Sequence, residues 1–196
     1  MPLHPPGRSY VETLREDREA ILLADELGFA EAFIGEHVTD TAETVTSSLM
    51  FCAGRGAAGL TARSHDWRVT KSVFVADDEA TAQSYAKSTT GPNGFYYRNL
   101  MRKLIGNGRP DLFKTSPDMS DEDITQEFVL DSLVIAGTVD SVIEQIVRFR
   151  ERVGAFGTLV YAGHDWVDPR LARRSMELMA TTVMPQVNKV LGEQSD

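Results

Sequence analysis

The chain is 196 residues long and carries 29 Asp and Glu against 20 Lys and Arg, a net charge of −9. An acidic excess spread along the whole sequence argues against nucleic acid and against an anionic membrane surface as partners, since both are held by clustered Lys and Arg. A hydrophobic content of 42% with 25% charged residues is ordinary for a globular protein and, at this length, predicts one domain with a sizeable core.

No run of about 18 apolar residues is present to span a bilayer. Pro2, Pro5 and Pro6 stand where a signal peptide would be apolar, so a cytoplasmic location is expected. Cys52 is the sole cysteine, which leaves no internal disulfide and no CxxC pair. Behind Leu49, Met50 and Phe51 it reads as a small buried hydrophobe without chemistry.

In chain order, Ser9 and Glu12 have the spacing of a capping box. Residues 10–27 place Tyr10, Leu14, Ile21, Leu22 and Ala24 on one side before Gly28 closes an amphipathic helix. Residues 29–34 are apolar except for Glu31 and read as a buried strand, with Gly35, Glu36 and His37 just past its end. Residues 46–53 read as a short helix, and the Gly-rich residues 54–66 as a loop or joint. Residues 69–75 alternate as a strand, and 77–87 form an Ala-rich helix with an acidic start. Residues 91–120, with Phe95, Tyr96 and Tyr97 near their beginning, read as a long irregular stretch of the kind that serves as a lid or binding segment.

A helix at about 121–130 leads to the most regular part of the chain. A strand is expected at 132–136, a helix at 139–152 capped by Thr138, and a strand at 156–161. Val142, Ile143, Ile146, Val147 and Val153 keep the 3.6-residue period of a crossover helix. Asp168 followed by Pro169 is an N-cap with proline in the first turn, opening a helix to about residue 191 that Pro185 should kink. Strands alternating with helices imply βα units and a parallel sheet.

Ligands of such sheets bind at the C-terminal ends of the strands. Three groups stand there: Glu36 with His37, Gly137 with Thr138, and His164 with Asp165 and Trp166. His37 has the ordinary pKa for proton transfer near neutrality and Glu36 is placed to orient it, although the same pair also fits a loop hydrogen bond and a helix cap. Gly137 and Thr138 open a helix N-terminus that suits an anion, or else form a plain turn and cap. His164 and Asp165 read either as site residues or as the end of a strand. The aromatic run at 95–97 offers a wall over an apolar substrate, or ordinary packing. His4, His37, His65 and His164 show no HxxxH or HxH spacing, so no metal is expected, and no GxSxG elbow is present.

The segments MPLHPPGRSY, DREAILLADELGFAEAFIGEH, VIAGTVDSVIEQI, FGTLVYAGHDW and MELMATTVMPQ resemble the bacterial luciferase-like, flavin-dependent monooxygenases, most closely their limonene-monooxygenase-like members. The resemblance implies a fold derived from the (β/α)8 TIM barrel, and reduced flavin, FMN or in some branches F420, bound at the C-terminal mouth. O2 and a small apolar organic molecule would be the substrates and a flavin reductase a partner. Glu36 and His37 match the family's Glu-His pair, whose His lies by the flavin and is the usual catalytic residue. Gly137 and Thr138 match the Gly-Ser/Thr before the seventh helix, and His164 lies in the loop after the eighth strand; these three are the expected cofactor contacts.

The family's third to fifth strands, with their flavin-phosphate donors, have no counterpart, and the sequence passes from SSLMFCA almost directly to RSHDWRVTKSVFVADD. A closed barrel needs about 200 to 250 residues. A single incomplete barrel domain over residues 1–196 is therefore expected, with about half of the strands, a deletion joint at 54–66 and an inserted lid at 91–120. FMN binding by the monomer should be weak or absent, and the exposed edges favour a homo-oligomer. The alternative is a non-catalytic remnant or assembly module that has lost flavin-phosphate binding.

Overall fold

The computed structural model describes residues 9–29 and 68–192. The strand expected at 29–34, the helix at 46–53, the joint at 54–66, Cys52, Glu36 and His37 lie outside the described residues, Phe29 excepted.

Helix α1, Tyr10–Glu26, forms where expected, but Ser9 makes no side-chain cap and the capping box is not realised. Its C-terminal end follows the glycine signal. Gly28 takes φ 76°, its N–H donates to the Asp25 carbonyl at 3.1 Å, and the Phe29 N–H reaches back to Ala24 at 3.0 Å, the pairing of a Schellman motif. The buried stripe matches the expectation at Ala24 but not at Ile21 and Leu22, and the Tyr10 and Leu14 side chains lie outside the described ones. Leu23 is buried with Ala20, Ala24 and Leu27 beside it, against Trp166, Ala172 and Met176, while Ile21 and Leu22 are exposed. The spacing 20, 23, 24, 27 is a true helical face, and residues 21 and 22 turn away from it.

Three strands form one parallel sheet: β1 (Arg68–Val75), β2 (Val134–Gly137) and β3 (Thr158–Tyr161), in the order β2-β1-β3. The central strand is shared along its length. Its second half, Ser72 to Val75, pairs with Val134 to Gly137, and its first half, Arg68 to Lys71, pairs with Thr158 to Tyr161. Where β3 stops, Ala162 donates to the Lys71 carbonyl and the Val75 N–H is taken by the Ser175 hydroxyl at 2.9 Å.

Side chains alternate across β1, so each face of the sheet buries a different set of helices. Phe74 and Ala76 pack with α2 (Glu79–Ala86), α3 (Pro92–Gly106) and α4 (Gln126–Leu133), through Ala82, Ala86, Tyr97, Val129 and Leu130. Val73 and Val75 face the other way, onto Val142 and Ile146 of α5 (Val139–Val153) and onto Leu178, Met179, Val183 and Val187. The last four come from α6 (Pro169–Leu178), a π-helical turn at Met179–Val183, and α7 (Met184–Leu191). The described residues are thus an α/β unit of three layers.

Two expectations about the helices are corrected. Residues 91–120 are not irregular throughout, because 15 of them form α3. Pro92 stands in its first turn, where the missing N–H costs nothing, and the segment then passes through 3-10 turns at Pro110–Phe113 and Asp121–Asp123. The Pro185 kink takes the form of the π-helical turn just before it, which widens the helix where the proline ring would meet the preceding turn. Asp168 caps α6 as expected, accepting from the Arg170 and Leu171 N–H groups, with Pro169 next to it.

Candidate functional site

A parallel sheet brings all its strand ends to one edge. Two of the three expected groups, those after β2 and after β3, are described there; Glu36 and His37 lie outside the described residues. The two groups have different surroundings.

His164 comes three residues after β3 and folds back over the sheet. Its Nε2 lies 2.9 Å from Ser72 Oγ in the middle of β1, and Ser72 Oγ lies 2.9 Å from the hydroxyl of Tyr97 on α3. The Tyr96 ring packs on the imidazole at a centroid distance of 4.9 Å and on Tyr97 at 5.0 Å. Ser72 is 3% exposed and Tyr97 7%. Burial lowers the His164 pKa to about 4, so the ring is neutral at neutral pH, and burial also raises the Tyr97 phenol above its ordinary range. Asp165 and Trp166, next in sequence, are buried, and Trp166 belongs to the packing between α1 and α6.

Tyr85 of α2 stacks on Phe74 at 4.5 Å, and its hydroxyl accepts the Asp168 N–H at 3.4 Å. Burial pushes its phenol up to about 12.

Gly137 and Thr138 have another kind of neighbour. Gly137 takes φ 156°, and a Cβ there would come within 2.6 Å of Ser141 Oγ and 3.0 Å of Glu79 Oε2. Thr138 stands at the N-cap position of α5 without a side-chain cap, and its N–H donates to Glu79 Oε2 at 3.3 Å. The donor expected for an anionic ligand already faces a carboxylate of the chain itself. Nearby, Arg174 makes two hydrogen bonds to Asp77, of 2.8 and 3.2 Å, and that contact holds the Asp77 carboxyl below its ordinary range.

Sequence reasoning missed Ser72 and Glu79, and it named Tyr97 only within the aromatic run at 95–97, not as a hydrogen-bonding group. Ser72 had a signal, since it is the polar residue in the inward series Ser72, Phe74, Ala76 of a buried strand end, where a hydroxyl needs a partner. Among the described residues no group of three or more His, Cys, Asp or Glu is placed to hold a metal ion, and no helix is long and apolar enough to cross a membrane.

No family model matches the chain. It is 27% identical over 146 residues to 2,5-diketocamphane 1,2-monooxygenase 1 of Pseudomonas putida, covering 70% of this chain and 38% of that one. It is 32% identical over 127 residues to 4-hydroxyprotoasukamycin monooxygenase of Streptomyces nodosus subsp. asukaensis, covering 63% and 31%. Limonene 1,2-monooxygenase of Rhodococcus erythropolis is 29% identical over 135 residues, covering 68% and 32%. Among solved structures, the oxygenating constituent of 3,6-diketocamphane monooxygenase from Pseudomonas putida, a type II Baeyer-Villiger monooxygenase in complex with FMN, superposes with a TM-score of 0.60 at 28% identity, over 70% of this chain and 38% of that one. The chain thus spans about a third of the length of the relatives it matches. By sequence and by fold, this chain is similar, over about 60–70% of its length, to monooxygenases of the luciferase-like class, one of them solved in complex with FMN.

Proposed function

We propose that the chain derives from a (β/α)8 barrel and acts as a flavin-dependent monooxygenase, oxygenating a small apolar organic substrate with reduced flavin and O2. The observation that carries this reading is the likeness over 70% of the chain to an FMN-bound Baeyer-Villiger monooxygenase. The flavin would be FMN, with F420 as the variant, and a flavin reductase would supply it in reduced form. In this reading Glu36 and His37 handle protons, while Gly137, Thr138 and His164 lie on the cofactor side. The segment 91–120, anchored by α3, is the lid. The protein works in the cytoplasm as a homo-oligomer, whose second copy covers the exposed sheet edges.

The described residues do not fit the flavin phosphate. That group needs Arg side chains or a run of free N–H donors. Instead, the Thr138 N–H is met by Glu79 and Arg174 is paired with Asp77. This favours a second reading, a remnant or assembly module of the family that has lost phosphate binding. What the described residues supply is the Tyr96 ring, backed by buried Tyr97, packed against a neutral imidazole.

The absorption spectrum of the purified protein with added FMN, taken together with its mass in solution, separates the readings. A bound-flavin spectrum in an oligomer supports the monooxygenase. A free-flavin spectrum at every protein concentration supports the remnant.

A further inference from the structure

The chain Tyr97–Ser72–His164 has its hydrogens fixed by counting. Ser72 and Tyr97 are both buried, so each hydroxyl hydrogen needs an acceptor inside the fold. Tyr97 Oη has Ser72 Oγ as its hydrogen-bond partner, and Ser72 Oγ has two partners, Tyr97 Oη and His164 Nε2. If Ser72 donated to Tyr97, the phenol hydrogen would be stranded. If His164 Nε2 carried a hydrogen toward Ser72, the Ser72 hydrogen would be stranded instead. One arrangement satisfies every group: Tyr97 donates to Ser72, Ser72 donates to Nε2, and the neutral ring carries its hydrogen on Nδ1.

Nδ1 itself has no hydrogen-bond partner among the described residues. His164 as a residue is half-buried, not sealed in the core. The ring is backed by Tyr96. We propose that His164 is a neutral N–H donor of fixed tautomer beyond the end of β3, and that Ser72, itself held by Tyr97, is its positioning residue. Since Tyr97 belongs to α3, the full chain exists when that helix is docked on the sheet. The tautomer is a property of the flavin-free protein and does not rest on the reading above.

Long-range 1H–15N correlation on the full 15N-labelled chain without flavin tests the arrangement. The expected result is a protonated Nδ1 and an unprotonated Nε2 for His164 at neutral pH; a protonated Nε2 overturns the proposal. Tyr97→Phe should keep the Nδ1–H form, because the Ser72 hydrogen still has Nε2 as its acceptor. The double variant Ser72→Ala with Tyr97→Phe strands no hydroxyl and so keeps the core satisfied, and it should release the ring into a mixture of tautomers. A double variant that stays wholly Nδ1–H removes Ser72 from the positioning role. FMN titration remains the separate test of the monooxygenase reading.

Discussion

Ser175 shows what one hydroxyl does at a strand end. It is fully buried on α6, takes the Val75 N–H at 2.9 Å where β3 has already ended, and lies 3.2 Å from the Tyr161 hydroxyl. Ser175→Ala leaves a buried donor without an acceptor, which costs about 1–3 kcal/mol. Urea unfolding should register that loss, and an unchanged midpoint would mean that water replaces the oxygen. His164 gives the pH dependence. Its pKa is lowered on folding from 6.5 to about 4, so between those values the unfolded chain binds more protons than the folded one. Stability from this residue is therefore complete above about 6.5 and falls as pH drops toward about 4. Asp77, Asp78 and Asp168 are also lowered, and their contributions fade only below the ordinary carboxylate range. His164→Gln should flatten the stability profile between about pH 4.5 and 6.5. An unaltered slope in that variant would assign the titration to another group.

At the scale of elements, α3 depends on one glycine and tolerates another. A Cβ on Gly94 would stand 2.4 Å from the Thr89 carbonyl and from Ser88 O, all backbone atoms that cannot swing aside. Gly94→Ala should cost about 1–3 kcal/mol as an overpacked site. Gly106, at the other end of the same helix, has nothing within 4 Å, and Gly106→Ala should stabilise by about 0.5–1 kcal/mol. Thermal unfolding of the two variants should move in opposite directions, and a shared direction would contradict this packing. The same helix marks the boundary of what the sequence disclosed. Hydrophobic period and N-cap chemistry located β1, β2, β3, α5 and the start of α6 within a few residues. At α3, the glycines and Pro92 suggested a loop, because their helical role depends on a close approach to residues 88 and 89 that no local pattern encodes. His164 was legible as a strand-end residue, whereas Ser72 and Tyr97, 92 and 67 positions away along the chain, became its partners only through the fold.

For the molecule as a whole, charge decides how a flavin would be received. The net charge is −9, and the C-terminal edge of the sheet carries Asp77, Asp78, Glu79, Asp165 and Asp168. Two arginines near them face carboxylates of the chain: Arg174 with Asp77 at 2.8 Å, and Arg170 with Asp168 at 3.6 Å. A phosphate that approaches this edge meets a negative field and a helix N-terminus already facing the Glu79 carboxylate. A site built on cationic donors loses affinity as salt is added, because screening removes attraction over a Debye length of about 8–10 Å near physiological ionic strength. Here the sign should reverse. FMN affinity, followed by fluorescence quenching, should be weak at low salt and equal or stronger at about 0.15 M salt, where the repulsion is screened. Riboflavin, which lacks the phosphate, should show no such dependence. Glu79→Gln should reduce the salt effect, since it removes the carboxylate nearest the Thr138 N–H while leaving a hydrogen-bond acceptor in its place. Tight FMN binding that weakens steadily with salt would show that a cationic phosphate site exists outside this edge, and would overturn the electrostatic argument.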